Sequence, residues 1–234
     1  MGETSVTAAS AQPSGRADAA GQQDGRLTRA ARTRAAVVEA LLTLNDGGNL
    51  RPTARDIAAE AGVSLRSLYV HFDDLEALFV AASTRHSERM AAQLPPLVVD
   101  GTQAERLEAF LARRVTMHEV GAGVRRAALL QEPFSPALRQ ALVNGRKLMR
   151  AEVRRAFAAE LDATDPDLVS RLLRGLDIAS SAASWEALRT YQGLSVYEAT
   201  DQVRDMMLAF IGSWGPAPAS DPDRSGPTSA RARA

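Results

Sequence analysis

The segment from residue 53 to residue 72 constrains the fold more than any other part of this 234-residue chain. It reads as two short helices that meet at Gly62, because glycine adopts the left-handed backbone that ends a helix within one residue. Thr53, with Asp56 three positions later, forms a capping arrangement for the first helix, and Ser64 caps the second. The pattern predicts a tight helix-turn-helix.

The second helix of this segment has one apolar and one polar face. Leu68 and Phe72 are four residues apart and are expected to face inward with Val63, which fills the corner between the helices. The remaining side chains are left outside as hydrogen-bonding groups: Arg66, Ser67, Tyr69 and His71. A single helix fits the major groove of DNA, so this face predicts a DNA-reading element.

These residues also carry a resemblance to a known family. The matching run is Ile57-Ala58-Ala59-Glu60-Ala61-Gly62-Val63-Ser64, followed by Ser67-Leu68-Tyr69 and His71-Phe72. Over residues 30–80 the chain resembles the DNA-binding domain of tetracycline-repressor-type (TetR-like) transcription regulators. Farther along, the chain is similar to a stretch common near the end of such proteins, at Trp185, Leu188-Arg189 and Gly193-Leu194-Ser195.

The resemblance implies roles in DNA binding for individual residues. Leu65, Arg66 and Ser67 would read base edges, with Arg66 suited to guanine and Leu65 to a thymine methyl group. Contacts to the DNA backbone are implied for Thr53, Arg55, Tyr69 and His71. The predicted DNA-binding set also includes the cap residue Ser64 and the upstream arginines Arg29, Arg32 and Arg34.

One position departs from the family pattern. Where such proteins usually have a lysine early in the next helix, this chain has Asp73-Asp74-Leu75. Two carboxylates repel DNA unless they point along the helix start, where the helix dipole favours them. Two explanations stay open for Arg26, Arg29, Arg32 and Arg34: an arm that lies in the minor groove and compensates, or a solvated charged face.

The composition limits the possible partners. The formal net charge is 0, from 28 basic and 28 acidic residues, which excludes a uniformly basic coat but not a local patch. The chain has no cysteine, so disulfides and thiolate metal sites are excluded. The three histidines lack metal-ligand spacing. The sequence therefore predicts no metal and no cofactor.

The expected location is the cytoplasm. No apolar run approaches the roughly 20 residues that cross a bilayer, so no membrane contact is expected. The N-terminus lacks the apolar core of a secretory signal. Residues 1–25 and 215–234 are poor in large apolar side chains and are predicted to be disordered tails.

Between the tails the pattern predicts an all-α fold. Residues 26–80 form a three-helix DNA-binding domain, and residues 81–214 form a helical domain for ligand binding and dimerisation. The first helix should end at Asn45-Asp46-Gly47-Gly48. Later helices are expected to begin at Asp73, which caps a long connecting helix with Glu76; at Thr102 or Gln103; at Ser135-Pro136, running as far as Leu161; at Asp165-Pro166, ending at about Thr190; and at Ser195, ending at Trp214.

Two sets of residues in the second domain are candidates for further sites. Apolar side chains and one histidine are the candidate ligand contacts, although apolar residues at such positions more often belong to the core: Phe110, Met117, His118, Phe134, Met149 and Trp185. Small and apolar residues on the last two helices are the candidate dimer interface: Ile178, Ala182, Val203, Met207 and Phe210. The alternative is that these residues complete the core of one subunit.

The resemblance implies a homodimeric repressor that a small-molecule effector releases from a palindromic operator in double-stranded DNA. Two alternatives stay open. The chain can be a DNA-binding regulator or architectural protein that takes no ligand, or a helical enzyme that has kept a vestigial DNA reader. No catalytic arrangement can be read from the order of residues, so the sequence predicts that the protein is not an enzyme.

Overall fold

The structure, a computed structural model, describes residues 15–215, with side chains from Leu27 onward. Helices fill this range and no strand occurs within it, so the predicted all-α fold is confirmed. The helices are α1 (Gly15–Asp46), α2 (Ala54–Glu60), α3 (Leu65–His71), α4 (Leu75–Gln93), α5 (Gln103–Val120), α6 (Ala122–Gln131), α7 (Pro136–Ala156), α8 (Ala158–Asp162), α9 (Pro166–Ala179), α10 (Ala182–Glu186) and α11 (Val196–Trp214).

The chain divides into two compact units. The first unit extends to His86 and also takes in Gly123–Ser135. The second unit comprises Ser87–Ala122 and the chain from Pro136 onward. The division differs from the predicted boundary at residue 80, because Val124 of α6 is buried in the core of the first unit. That long-range contact leaves no trace in the local pattern.

Helix α1 begins earlier than the sequence indicated. Residues 15–25, which were predicted to be part of a disordered tail, form the start of this helix. Alanine, glutamine and arginine in that stretch favour helix even without large apolar side chains. The rest of the two predicted tails, residues 1–14 and 216–234, lies outside the described part of the chain.

The first unit is built around one apolar core. α1 contributes Val37 and Leu41, and these pack with Ile57 of α2 and Leu68 of α3. These side chains are fully buried. Burial of each apolar side chain of this size contributes about 1.5 to 3 kcal/mol relative to exposure. The core therefore holds α2 and α3 against α1 in one arrangement.

The start of α4 differs by one residue from the prediction. Asp74, not Asp73, caps the helix, since its carboxylate accepts a hydrogen bond from the amide of Ala77 at 2.8 Å. Glu76 does not complete a capping box, because its carboxylate accepts a hydrogen bond from Ser135 Oγ instead, at 2.6 Å. Asp74 is thus committed to the helix start, where the dipole favours a negative charge.

The core of the second unit centres on α9 and α11. Gly175 allows α11 to approach closely, since a Cβ at this position would lie 3.0 Å from the rings of Phe210 and Trp214. Those two rings stack with their centroids 5.1 Å apart. Val203 and Met207 are buried in the same core. The prediction that Val203 and Met207 form a dimer interface is wrong, because side chains that fill their own core have no surface to offer.

Two helices that were predicted to be continuous are interrupted. α7 ends at Ala156, and Phe157, with φ −114° and ψ 29°, separates it from α8. α9 ends at Ala179, and Ser181 caps the separate helix α10 by accepting a hydrogen bond from the amide of Ser184 at 3.2 Å. Serine side chains that bond to nearby main-chain groups compete with a continuous helix.

The predicted caps at the starts of α5, α9 and α11 are confirmed. Thr102 and Glu105 form a capping box at the start of α5, and Ser195 and Glu198 form one at the start of α11. The first helix ends at Asp46, at the predicted turn. These elements depend on residues within one helical turn of each other, so their local sequence is sufficient to specify them.

Candidate DNA interface and buried arginine cluster

The candidate recognition helix is α3, which is held at both ends. Ser64 caps its start, with Oγ accepting a hydrogen bond from the amide of Ser67 at 3.0 Å. Leu68 and Phe72 are buried in the core of the first unit. At the preceding corner Gly62 has φ +66°, a left-handed conformation that glycine adopts without strain. The predicted helix-turn-helix is therefore confirmed.

The exposed face of α3 consists of Leu65, Arg66, Tyr69 and Val70. In a helix, the residues one, four and five positions after Leu65 lie on the same side as Leu65. The four side chains therefore form a single surface. Ser67 and His71, which were predicted to face outward, are only half-exposed, at the edge of this surface.

Sequence reasoning missed Val70. This side chain is 72% exposed, although valine is usually buried. An exposed apolar side chain on this helix can contact a thymine methyl group. The signal that could have found it is its spacing of four residues from Arg66, which places both side chains on one face.

At the start of α2, Thr53 is engaged in hydrogen bonds within the unit, whereas Arg55 is exposed. The Thr53 amide and hydroxyl both donate to the Asp56 carboxylate at 2.8 Å, and Thr53 Oγ1 accepts from the Asp56 amide at 3.3 Å. The hydrogen bond from the Thr53 amide, followed by that from its hydroxyl, lowers the pKa of Asp56. Arg55 is exposed and has no hydrogen-bond or ionic partner among residues 27–215. Its charge is available to a phosphate.

Arg34 makes contacts within the first unit that the sequence did not predict. Its Nη1 donates a hydrogen bond to the carbonyl oxygen of His71 at 2.7 Å. Its guanidinium also lies 4.1 Å from the centroid of the Phe72 ring, within the range of a cation–π contact. Arg34 therefore satisfies an open carbonyl at the end of α3 and fixes the recognition helix to α1.

Arg29 and Arg32 lie in the middle of α1, so the idea of an extended arm at these positions is wrong. A helix about 10 Å or more across does not enter a minor groove about 6 Å wide. Arg32 Nε donates to the carbonyl oxygen of Thr28 at 3.4 Å, one turn earlier on the helix. Arg29 is exposed. Both side chains can contact phosphates from the side of α1.

A second group of candidate residues meets in the second unit, between α5 and α7. The Arg114 guanidinium lies 4.7 Å from the centroid of the Phe110 ring. Its Nη2 donates to the main-chain carbonyl of Met149 at 2.7 Å, and its Nη1 lies 2.6 Å from the sulfur of Met149 and 3.6 Å from that of Met117. The sequence singled out Phe110, Met117 and Met149. For Arg114 it left an acidic ligand open but favoured a solvated surface, because a charged residue within a helix is usually solvated.

His118 and Trp185 adjoin this group. Both side chains are buried, with their ring centroids 5.8 Å apart. His118 Nε2 donates to the carbonyl of Ser180 at 3.1 Å, so that nitrogen carries the proton. The Trp185 indole donates to the carboxylate of Glu119 at 2.8 Å. The predicted ligand contacts His118 and Trp185 thus have polar partners within the unit.

The remaining predicted residues have exposed or half-buried side chains. Phe134 is 72% exposed and belongs to the first unit, and its ligand contact stays a prediction. A three-residue 3₁₀ turn, Glu132–Phe134, carries this side chain out of the core. Ile178 of α9 is 65% exposed, and Ala182 is half-buried, so both have surface that a partner can cover.

The described residues contain neither a metal site nor a membrane-spanning helix. Over residues 27–215, no group of three or more acidic, histidine or cysteine side chains is placed to hold a metal ion. No helix in that range is long and apolar enough to span a bilayer.

The comparison with protein families matches residues 43–82 to bacterial regulatory proteins of the tetR family. The match covers the end of α1, all of α2 and α3, and the first part of α4. It therefore includes the exposed face of α3 and the capping box of α2. No curated protein sequence matches the chain significantly.

Two solved structures share the fold over most of their length. A transcriptional regulator from Rhodococcus sp. Rha1 is 16% identical, with a TM-score of 0.62 over 81% of this chain and 99% of that one. A protein from Mesorhizobium loti MAFF303099, designated a TetR-family transcriptional regulator, is 18% identical, with a TM-score of 0.60 over 80% and 98%. At these identities the likeness concerns the fold, which both units of this chain share with them.

Proposed function

We propose that the chain is a homodimeric repressor, on the premise that residues 43–82 match bacterial regulatory proteins of the tetR family. It binds a palindromic operator in double-stranded DNA, and a small molecule that binds the second unit releases it. The DNA-binding regulator is the coarser conclusion, which the family match supports directly. Dimerisation, repression and release are the proposed steps.

The observation that carries the proposal is the exposed face of α3. Arg66 and Tyr69 on this face lie on a helix whose other side is buried, so they are presented on a rigid support. Arg66 has no hydrogen-bond or ionic partner among residues 27–215. An arginine without a protein partner can form two parallel hydrogen bonds to guanine in the major groove. Val70 and Leu65 add apolar contacts beside it.

The proposed dimer matches the helical repeat of duplex DNA, which presents the major groove once per turn. Two recognition helices related by a twofold axis enter successive major grooves when their centres are about 34 to 36 Å apart. The proposed dimer contact uses Ile178 of α9, Ala182 of α10 and the neighbouring exposed surface of α11, including Leu208. Val203 and Met207 take no part, since they fill the core of their own subunit.

Release by a ligand requires only that the ligand prefer one of two states. In one state the two recognition helices match successive major grooves, and in the other they do not. A small molecule that binds the second state more tightly will lower the affinity for the operator. The buried group around Phe110, Arg114 and Met149 supports placement of this ligand between α5 and α7, because such a site needs a few polar groups in apolar surroundings.

Footprinting on the DNA that flanks the protein's own gene tests DNA binding and dimerisation together. We expect a protected palindrome with half-sites one helical turn apart, and a complex containing two chains in size-exclusion chromatography with light scattering. Protection of a single half-site by one chain would overturn the dimer. Protection of every sequence alike would favour an architectural protein.

A ligand screen against the identified operator tests release. Compounds that stabilise the protein in a thermal-shift experiment should also raise the dissociation constant for operator DNA, measured by fluorescence anisotropy. If stabilising compounds leave operator affinity unchanged, the chain is a regulator that does not respond to ligand.

A further inference from the structure

We propose that Arg114 binds the carboxylate of an acidic, largely apolar effector, which takes the place of the Met117 and Met149 side chains between α5 and α7. This inference rests on the ligand-controlled release proposed above and specifies the chemistry of the ligand. The observation behind it is the Arg114 guanidinium, which is buried with fewer hydrogen-bond acceptors than it has donors.

Arg114 is almost completely buried, with 3% of its surface exposed. A guanidinium has five N–H donors and no acceptor, so it needs several oxygen atoms when water is removed. Among residues 27–215, the carbonyl of Met149 is the oxygen that Arg114 reaches at hydrogen-bond distance. The buried Nε has no partner in that range.

The atoms next to Nη1 of Arg114 are sulfurs, which are weaker hydrogen-bond acceptors than the oxygen atoms expected around a buried guanidinium. Nη1 of Arg114 lies next to the thioether sulfurs of Met149 and Met117, at 2.6 Å and 3.6 Å. A thioether is a weak, uncharged acceptor. The Glu152 carboxylate is 3.8 Å from Nη1, which gives electrostatic attraction without a hydrogen bond. The guanidinium therefore keeps unused donors.

The local charges do not balance. Arg113 forms two hydrogen bonds to the Glu152 carboxylate, at 2.6 Å and 3.3 Å. Arg150 pairs with Asp177 at 3.2 Å. Each of these carboxylates is thus already held by another arginine, so the positive charge of Arg114 is in excess. Buried charges are normally paired, and a ligand carboxylate would supply the missing negative charge.

Burial has a measurable consequence for this group. Removal from water lowers the pKa of Arg114 to about 10, and attraction to Glu152 and then Asp177 offsets only part of that shift. Arg114 remains charged at neutral pH. A bound anion would favour the charged guanidinium and so offset part of the lowering that burial causes.

The surroundings indicate what the rest of the ligand is like. Met117 and Met149 are half-exposed over the buried guanidinium, and methionine side chains move aside readily because they are unbranched. The Phe110 ring lies against one face of the guanidinium. A ligand entering here would therefore place its carboxylate on Arg114 and an aromatic or alkyl body against thioether and phenyl groups.

The test compares two carboxylates with their uncharged amides. The probes are phenylacetate and octanoate, with phenylacetamide and octanamide as the matched neutral molecules. Binding to the full chain is measured by isothermal titration calorimetry and by thermal shift. We expect both carboxylates to bind and stabilise the protein, while the amides bind at least about tenfold more weakly, because hydrogen bonds to charged groups contribute about 1.5 to 3 kcal/mol.

Arg114→Met removes the anchor at similar volume. Glu152 keeps its pairing with Arg113, so we expect this variant to fold with an unchanged or raised melting temperature. It should lose the preference for carboxylate over amide. Arg114→Lys, which keeps a charge but not the planar pair of donors, should retain part of that preference. Arg174→Met, an exposed position on α9, is the control and should bind like the wild type.

Three results would overturn the inference: carboxylates and amides bind alike, neither carboxylate binds at millimolar concentration, or Arg114→Met keeps the preference. Operator anisotropy separates this inference from the proposed function. If a neutral molecule releases DNA equally from wild type and Arg114→Met, the release mechanism stands and the acidic effector is wrong. If carboxylates bind through Arg114 without changing operator affinity, the site stands and ligand-controlled release is wrong.

Discussion

Arg34 of α1 donates a hydrogen bond to the main-chain carbonyl of His71, the last residue of α3, at 2.7 Å. The same guanidinium lies over the ring of Phe72. An upstream arginine that was predicted to contact DNA thus also links two helices of one unit. Its effect on DNA binding is expected to act through the position of α3.

Arg34→Ala should lower the free energy of unfolding by about 1 to 2 kcal/mol, since a hydrogen bond to a charged donor and a cation–π contact are both lost. Denaturant unfolding measures this change. Arg55→Ala, which removes an exposed arginine without a protein partner among residues 27–215, is the control and should change stability by less than about 0.5 kcal/mol. Equal stability of the two variants would show that Arg34 does not link the helices.

Arg66→Ala should cost about 1 to 3 kcal/mol of operator binding at one base pair and relax specificity there. The reason is that Arg66 lies on the exposed face of α3, whose geometry suits base recognition. Anisotropy titrations against operators mutated at each position measure the effect. A uniform loss on all sequences would instead identify Arg66 as a phosphate contact.

Arg55→Ala should weaken DNA binding without changing the preference for particular bases. We expect a similar loss on every sequence, and a decrease of about one unit in the slope of log affinity against log salt, because one phosphate contact disappears. The salt titration is made on the same operator as for Arg66→Ala. An unchanged slope would mean that Arg55 does not contact the DNA backbone.

Gly62→Ala should destabilise the helix-turn-helix by about 1 to 2 kcal/mol, because alanine is strained at a φ of +66°. The control is Gly145→Ala in α7, a position where a Cβ would meet nothing within 4 Å. There alanine should stabilise by about 0.5 to 1 kcal/mol, since it favours helix more than glycine. Calorimetric melting of both variants tests the difference in sign.

His86 should make stability depend on pH. Burial, and then the charge of Arg125, lower the pKa of His86. The unfolded chain binds a proton at a pKa of about 6.5, so it takes up the proton before the folded state does. Stability should be full above that pH and fall as the pH drops through it. His86→Gln should flatten the difference in melting temperature between pH 7.5 and 5.5, and an unchanged difference would contradict the assignment.

Sequence reasoning succeeded where the deciding contacts are local. The capping boxes at Thr53, Thr102 and Ser195 each depend on a residue three positions later. Gly62 and Ser64 similarly specify the corner before α3. Sequence reasoning failed at the start of α4, where Asp74 caps the helix in place of the predicted Asp73 and a hydrogen bond from the distant Ser135 occupies Glu76.

The sequence by itself determined that the chain is helical, where the corner at Gly62 and the capped helix starts lie, and which short helix presents a polar face. Those features depend on side chains within one turn of each other, where spacing alone sets the geometry. Only the tertiary structure decided that Arg34 holds α3, that Val203 and Met207 are core, and that Arg114 is a buried cation with too few acceptors. Those outcomes depend on partners that are distant along the chain, and the same residues on a solvated helix face would carry the same local pattern.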